Sequence, residues 1–101
     1  MTPRFVLEPA AQDDLAEGLA WYEQHGPPNL AVEFLEVVSD AFEAIERAPL
    51  QFHFERADIR KAVLRRFPYI VYFVVLPDVI SGIAVFHSSR DPAIWHRRAD
   101  V

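Results

Sequence analysis

The chain reads as an α+β fold, a β-α-α-β-β-β order in which an αα-hairpin packs on a small, mainly antiparallel sheet. Two observations predict it. Residues 60–90, RKAVLRRFPYIVYFVVLPDVISGIAVFHSSR, hold three β-branched and aromatic runs separated by two short turn signals, the pattern of a three-stranded meander. Residues 10–47 hold two stretches of helical periodicity parted by the breaker cluster His25-Gly26-Pro27-Pro28-Asn29. The middle run of the meander, Tyr69 to Leu76, is polar only at its two tyrosine hydroxyls, so a strand there must be covered on both faces.

Taken in order, Arg4 to Leu7 is a short apolar strand closed by Glu8-Pro9, and Pro9 suits the first turn of a helix. From Ala10 to Gln24 the apolar stripe is Leu15, Leu19 and Tyr22, widened by Ala16, Ala20 and Trp21, with acids toward the N-terminus where the helix dipole favours them. Gly26 can end that helix and Pro28 or Asn29 can open the next. The second helix spans Leu30 to Arg47, with Leu30, Phe34, Val37, Val38, Ala41, Phe42 and Ile45 on one face and Glu33, Glu36, Asp40 and Glu43 on the other. So short a link makes the pair an antiparallel hairpin, which covers one face of the sheet.

Ala48-Pro49 stops the helix, and Leu50 to Asp58 has no clear period and reads as a loop, its Phe52 and Phe54 tucked under the sheet edge. The first meander strand is Arg60 to Leu64. Pro68 has no amide to donate and marks the start of the second, and Pro77-Asp78 turns the last hairpin through a loop of three to five residues. The last strand, Val79 to His87, splits by period 2 into Val79, Ser81, Ile83, Val85 and His87 on one face and Ile80, Gly82, Ala84 and Phe86 on the other. Gly82 and Ala84 leave room there for a close neighbour. The terminal residues include Ser89, Arg90, Asp91, Pro92, Trp95 and His96, with Pro92 placed to open a short helix.

At 101 residues the chain is expected to form one domain, and its 51% hydrophobic content argues against disorder. The longest apolar run falls far short of the roughly 20 residues a membrane span needs. With no basic-then-apolar leader either, a cytoplasmic protein without a membrane partner is expected. There are no cysteines, the four histidines lack ligand spacing, and neither a metal nor another cofactor is expected. Net charge is −5, unevenly placed: residues 1–59 hold 3 Lys and Arg against 12 Asp and Glu, and residues 60–101 hold 7 against 3. The basic half suits an anionic partner; a dedicated nucleic-acid binder would be basic overall.

Three stretches carry a family resemblance over nearly the whole chain: Arg66-Phe67-Pro68-Tyr69, the His-x-x-Arg-Asp-Pro-x-x-Trp run from His87 to Trp95, and the looser Ala11, Asp14, Leu15 at the first helix. In this order they resemble the RelE/ParE superfamily of toxins from type II toxin–antitoxin modules, often labelled plasmid stabilisation proteins, and the ParE-like members more than the RelE-like. The resemblance implies a cognate antitoxin that forms a hetero-oligomer with the chain, and growth inhibition when the toxin is free. ParE-like members bind and poison DNA gyrase; RelE-like and HigB-like members cut mRNA on the ribosome.

A metal-free nuclease needs an acid/base and fixed cations about one phosphate. In that case His87 would move the proton, with Arg90 and Arg65 supplying charge. The acidic balance weighs against steering toward a ribosome, which favours gyrase as the target. A third alternative is an attenuated protein that only pairs with its antitoxin. Arg60, Lys61, Arg65, Arg66, Tyr69, Arg90 and Trp95 are the expected target- or antitoxin-binding residues, with the cations rimming an apolar groove on the sheet face that the helices leave thinly covered.

Overall fold

The structure, a computed structural model, describes residues 3–89. The elements are β1 (Arg4–Leu7), α1 (Pro9–His25), α2 (Leu30–Arg47), a 3-10 turn over Pro49–Gln51, β2 (Phe54–Arg56), β3 (Ile59–Val63), β4 (Tyr69–Val75) and β5 (Val79–His87). They build one sheet in the order β1-β5-β4-β3-β2, with β1 parallel to β5 and the other neighbours antiparallel. The expected α+β architecture is present. Arg90, Asp91, Pro92, Trp95 and His96, with the helix expected after Pro92, lie outside the described residues.

Local signals set most boundaries. Pro9 occupies the first turn of α1, Gly26 is its C-cap, and Asn29 is the N-cap of α2. The acids do not crowd the start of α1, whose first turn has none. The buried face of that helix is Ala11, Asp14, Gly18 and Tyr22, so the stripe is rotated from the purely apolar reading and Trp21 is 52% exposed. A buried carboxylate and a glycine carry no hydrophobic signal, yet both lie against the sheet. In α2 the apolar stripe holds as read, with Phe34, Val38 and Ile45 fully enclosed.

The loop expected over Leu50 to Asp58 contains a strand. Phe54 pairs with Arg60 and Arg56 with Ile59, across a tight turn in which Ala57 takes φ 49°. Three residues are too few to show a period, which hides β2 in the sequence. Phe52 does tuck inward, edge-on to Phe73 with centroids 5.7 Å apart. Phe54 does not: it is 56% exposed, with the Arg60 guanidinium 3.9 Å from its ring centroid.

The period-2 division of the last strand is broken by a bulge. Tyr72 pairs with Ala84 and Phe73 with Gly82, so Ile83 is an extra residue. Beyond it every side chain changes face. Ile80 and Val85 join the core under the helices, whereas Ile83, Ala84 and Phe86 pack together on the opposite face with Ile59, Tyr72 and Val74. These opposite-face residues are buried, so the open apolar groove expected on that face is absent among the described residues. The close neighbour expected at Gly82 is present and comes from β1: a Cβ there would sit 2.5 Å from Phe5 Cζ, so the glycine admits that ring.

Candidate functional site

The bulge has a local consequence. It turns Val85 and His87 toward α1, where a cleft of about 370 Å³ opens between the helix and the ends of β4 and β5. Asp14, Glu17, Gly18 and Trp21 line it from the helix, and Tyr69, Val85 and His87 from the sheet. Gly18 allows the close approach: a Cβ there would lie 3.2 Å from Tyr69 Oη. Behind the cleft stands an aromatic hub centred on Phe34, whose ring lies 4.9 Å from Tyr22, 5.0 Å from Tyr69 and 5.3 Å from Phe67.

Polar groups in the cleft are committed. The Asp14 carboxylate is 5% exposed and its Oδ2 accepts the Val85 amide at 3.1 Å. His87 Nδ1 accepts the Ser89 amide at 3.1 Å and lies 2.8 Å from Ser89 Oγ, while the ring stands edge-on to Tyr69 at 5.3 Å. Burial pushes the Tyr69 phenol above its ordinary range, and the neighbouring Tyr22 and the Glu17 carboxylate push the same way. Burial alone raises Tyr22.

The expected cationic residues are dispersed rather than gathered. Arg60 donates to the carbonyl of Phe52 at 2.7 Å and so braces the segment before β2. Lys61 pairs with Glu55 at 3.1 Å, Arg65 with Asp40 at 2.9 Å and Arg66 with Glu33 at 2.8 Å. The last two acids lie on α2, so the turn before β4 folds back onto that helix. Arg66 takes φ 71°, uncommon for a residue with a side chain, and the amides of Phe67 and Tyr69 close on the carbonyls two residues back at 2.7 and 2.8 Å. Exposed pairs of this kind contribute about 0–1 kcal/mol each, so a partner's charges can replace them at small cost.

Among the expected site residues, Tyr69 and His87 share the cleft, and Arg65 and Arg66 share the α2 side. Arg90 and Trp95 lie outside the described residues. The sequence reading missed Glu17 and the committed Asp14 as parts of this surface. Asp14 was visible only as one position of the family resemblance. Among the described residues no group of three or more His, Cys, Asp or Glu is placed to hold a metal, and no helix is long and apolar enough to cross a membrane.

Residues 5–92 match the family model for the ParE toxin of the type II toxin–antitoxin system, parDE. The chain belongs to that family. Among solved structures it is similar to the chromosomal ParDE TA system from P. aeruginosa, with TM-score 0.76 and 17% identity over 85% of this chain and 96% of that one. At that identity the likeness speaks for the fold. No curated protein sequence matches. This ParE-like chain is therefore a type II toxin by family.

Proposed function

We propose that this ParE-like toxin stops growth by binding and poisoning DNA gyrase, without cutting nucleic acid itself, and that a cognate antitoxin neutralises it in a hetero-oligomer. The observation that carries the non-nuclease part is the setting of His87. Its cleft wall bears Asp14 and Glu17, its Nδ1 is occupied by Ser89, and Arg65 is turned to Asp40 on α2. Among the described residues lining the cleft, a phosphate entering there meets the Glu17 carboxylate and no arginine or lysine, whereas cleavage needs an acid/base and cations converging on one phosphorus. Family membership supports both the growth inhibition and the antitoxin.

The test is to induce the full chain alone and follow plasmid topology, the DNA-damage response and mRNA integrity in the same culture. Gyrase poisoning predicts broken or abnormally supercoiled plasmid with intact mRNA, and undiminished inhibition by His87→Ala. Cleaved mRNA that disappears with His87→Ala would replace this reading with the ribosome-dependent nuclease. Undisturbed growth would make the chain an attenuated module protein. Co-purification with the product of the adjacent reading frame, followed by light scattering, tests the hetero-oligomer.

A further inference from the structure

We propose that the groove between α1 and the ends of β4 and β5 is a binding site for a guanidinium group, held by the Trp21 indole and the Glu17 carboxylate. It rests on the reading that this cleft does not take phosphate, and its test is one of binding, separate from the cellular target.

The groove is larger than the cleft beside His87 alone. A second hollow of about 330 Å³, lined by Trp21, Tyr22, Pro68, Tyr69, His87 and Ser89, adjoins the one of about 370 Å³, and the two share Trp21, Tyr69 and His87. Three aromatic rings thus border both halves. The exposed one is held in place. Trp21 is 52% exposed, yet His25 stacks on its indole with centroids 4.6 Å apart and 20° between the planes, and Tyr22 stands edge-on at 5.3 Å. His25 Nδ1 also donates to the Trp21 carbonyl at 2.9 Å, which fixes the stack to the helix. A large ring kept at the surface by its neighbours is a platform for a ligand and not part of the core.

Charge selects the ligand. Among the described residues no lysine or arginine lines either hollow. Asp14 is engaged with the Val85 amide, whereas Glu17 is exposed and makes no hydrogen bond or ion pair among the described residues. Burial and the neighbouring Tyr22 raise the Tyr69 phenol, and Glu17 adds to them, so the field of that carboxylate reaches the rings of the groove. An anion is repelled there, and no group of three or more His, Cys, Asp or Glu among the described residues is placed to hold a metal ion. An alkylammonium would meet the carboxylate as a compact, strongly hydrated point charge. A guanidinium is planar and weakly hydrated; it lies flat on an indole and donates two parallel N–H bonds to one carboxylate. The pairing of a fixed open indole with an uncommitted carboxylate fits that group.

The experiment titrates the isotopically labelled full chain with methylguanidinium chloride at constant ionic strength, and in parallel with methylurea, its neutral isostere. Methylguanidinium is expected to give saturable shifts at Gly18, Tyr69, His87 and the Trp21 indole N–H, with half-saturation in the millimolar range, and methylurea none. Glu17→Gln should weaken binding about fivefold, the size of an exposed ion pair. Trp21→Ala should weaken it about threefold, the size of an exposed cation–π contact. Both side chains are exposed, and circular dichroism checks that each variant keeps the fold. Glu36→Gln on the exposed side of α2 should change nothing. N-acetylarginine amide, the same head on a peptide backbone, separates the two sources of the ligand: tighter binding than methylguanidinium assigns the site to an arginine side chain, and equal or weaker binding to a free guanidinium compound. An equal response to methylurea, shifts spread evenly over the acids of α2, no saturation, or unaltered binding by Glu17→Gln would each overturn the proposal. None of these outcomes bears on gyrase.

Discussion

The two edges of the sheet are finished in opposite ways. At the β1 edge, side chains from both helices satisfy outward main-chain groups: Glu46 of α2 takes the Phe5 amide and Gln12 of α1 takes the Leu7 carbonyl. Where β1 runs out opposite Gly82, Asp14 of α1 takes the Val85 amide of β5. At the β3 edge a three-residue strand covers only part of the length, and Val63 is left facing solvent. An unfinished strand edge is a liability in a monomer. The contrast teaches that the hairpin of helices does two jobs: it covers one face of the sheet, and it closes one edge.

The most disruptive way to break the contrast is to open the closed edge. Gly82→Val would put branched carbons into Phe5, whose ring also stacks on Phe42 at 4.7 Å, and β1 would have to move away. A loss of about 3 kcal/mol in urea denaturation is expected, with new self-association by light scattering. Glu46→Ala removes only the cap on the Phe5 amide, which is exposed. About 1 kcal/mol and earlier hydrogen exchange at Phe5 are expected, with the global fold unchanged. Smallest is Val63→Thr at the open edge, within about 0.5 kcal/mol of the parent, because nothing there is yet packed. Equal destabilisation by Glu46→Ala and Val63→Thr would mean that the two edges are energetically alike and that the contrast is only geometric.

Much of the architecture is legible without coordinates because it is written in neighbouring residues. The bounds of α2 at Leu30 and Arg47, of β1 at Arg4 and Leu7, and of β5 at Val79 and His87 follow from periodicity and from breakers such as Gly26, Pro49 and Pro77. The candidate site is less legible. Tyr69 and His87 can be singled out from the sequence, but that they face one cleft depends on the bulge at Ile83, and no local signal marks that extra residue. Arg65 and Arg66 read as a free basic rim. In the fold they are paired with Asp40 and Glu33, which lie 25 and 33 residues away in the chain.

The sequence by itself determined the order of the two helices and of every strand except β2, the acidic hairpin, the two-sided burial of β4 and the family to which the motifs point. Only the tertiary structure decided that Asp14 is buried against β5, that His87 turns toward α1, and that one sheet edge is closed while the other stays open. The physical reason is range. Periods and breakers act within a few residues, whereas the Asp14–Val85 bond joins positions 71 apart, and which partner such a carboxylate finds is settled by how helices and sheet pack as a whole.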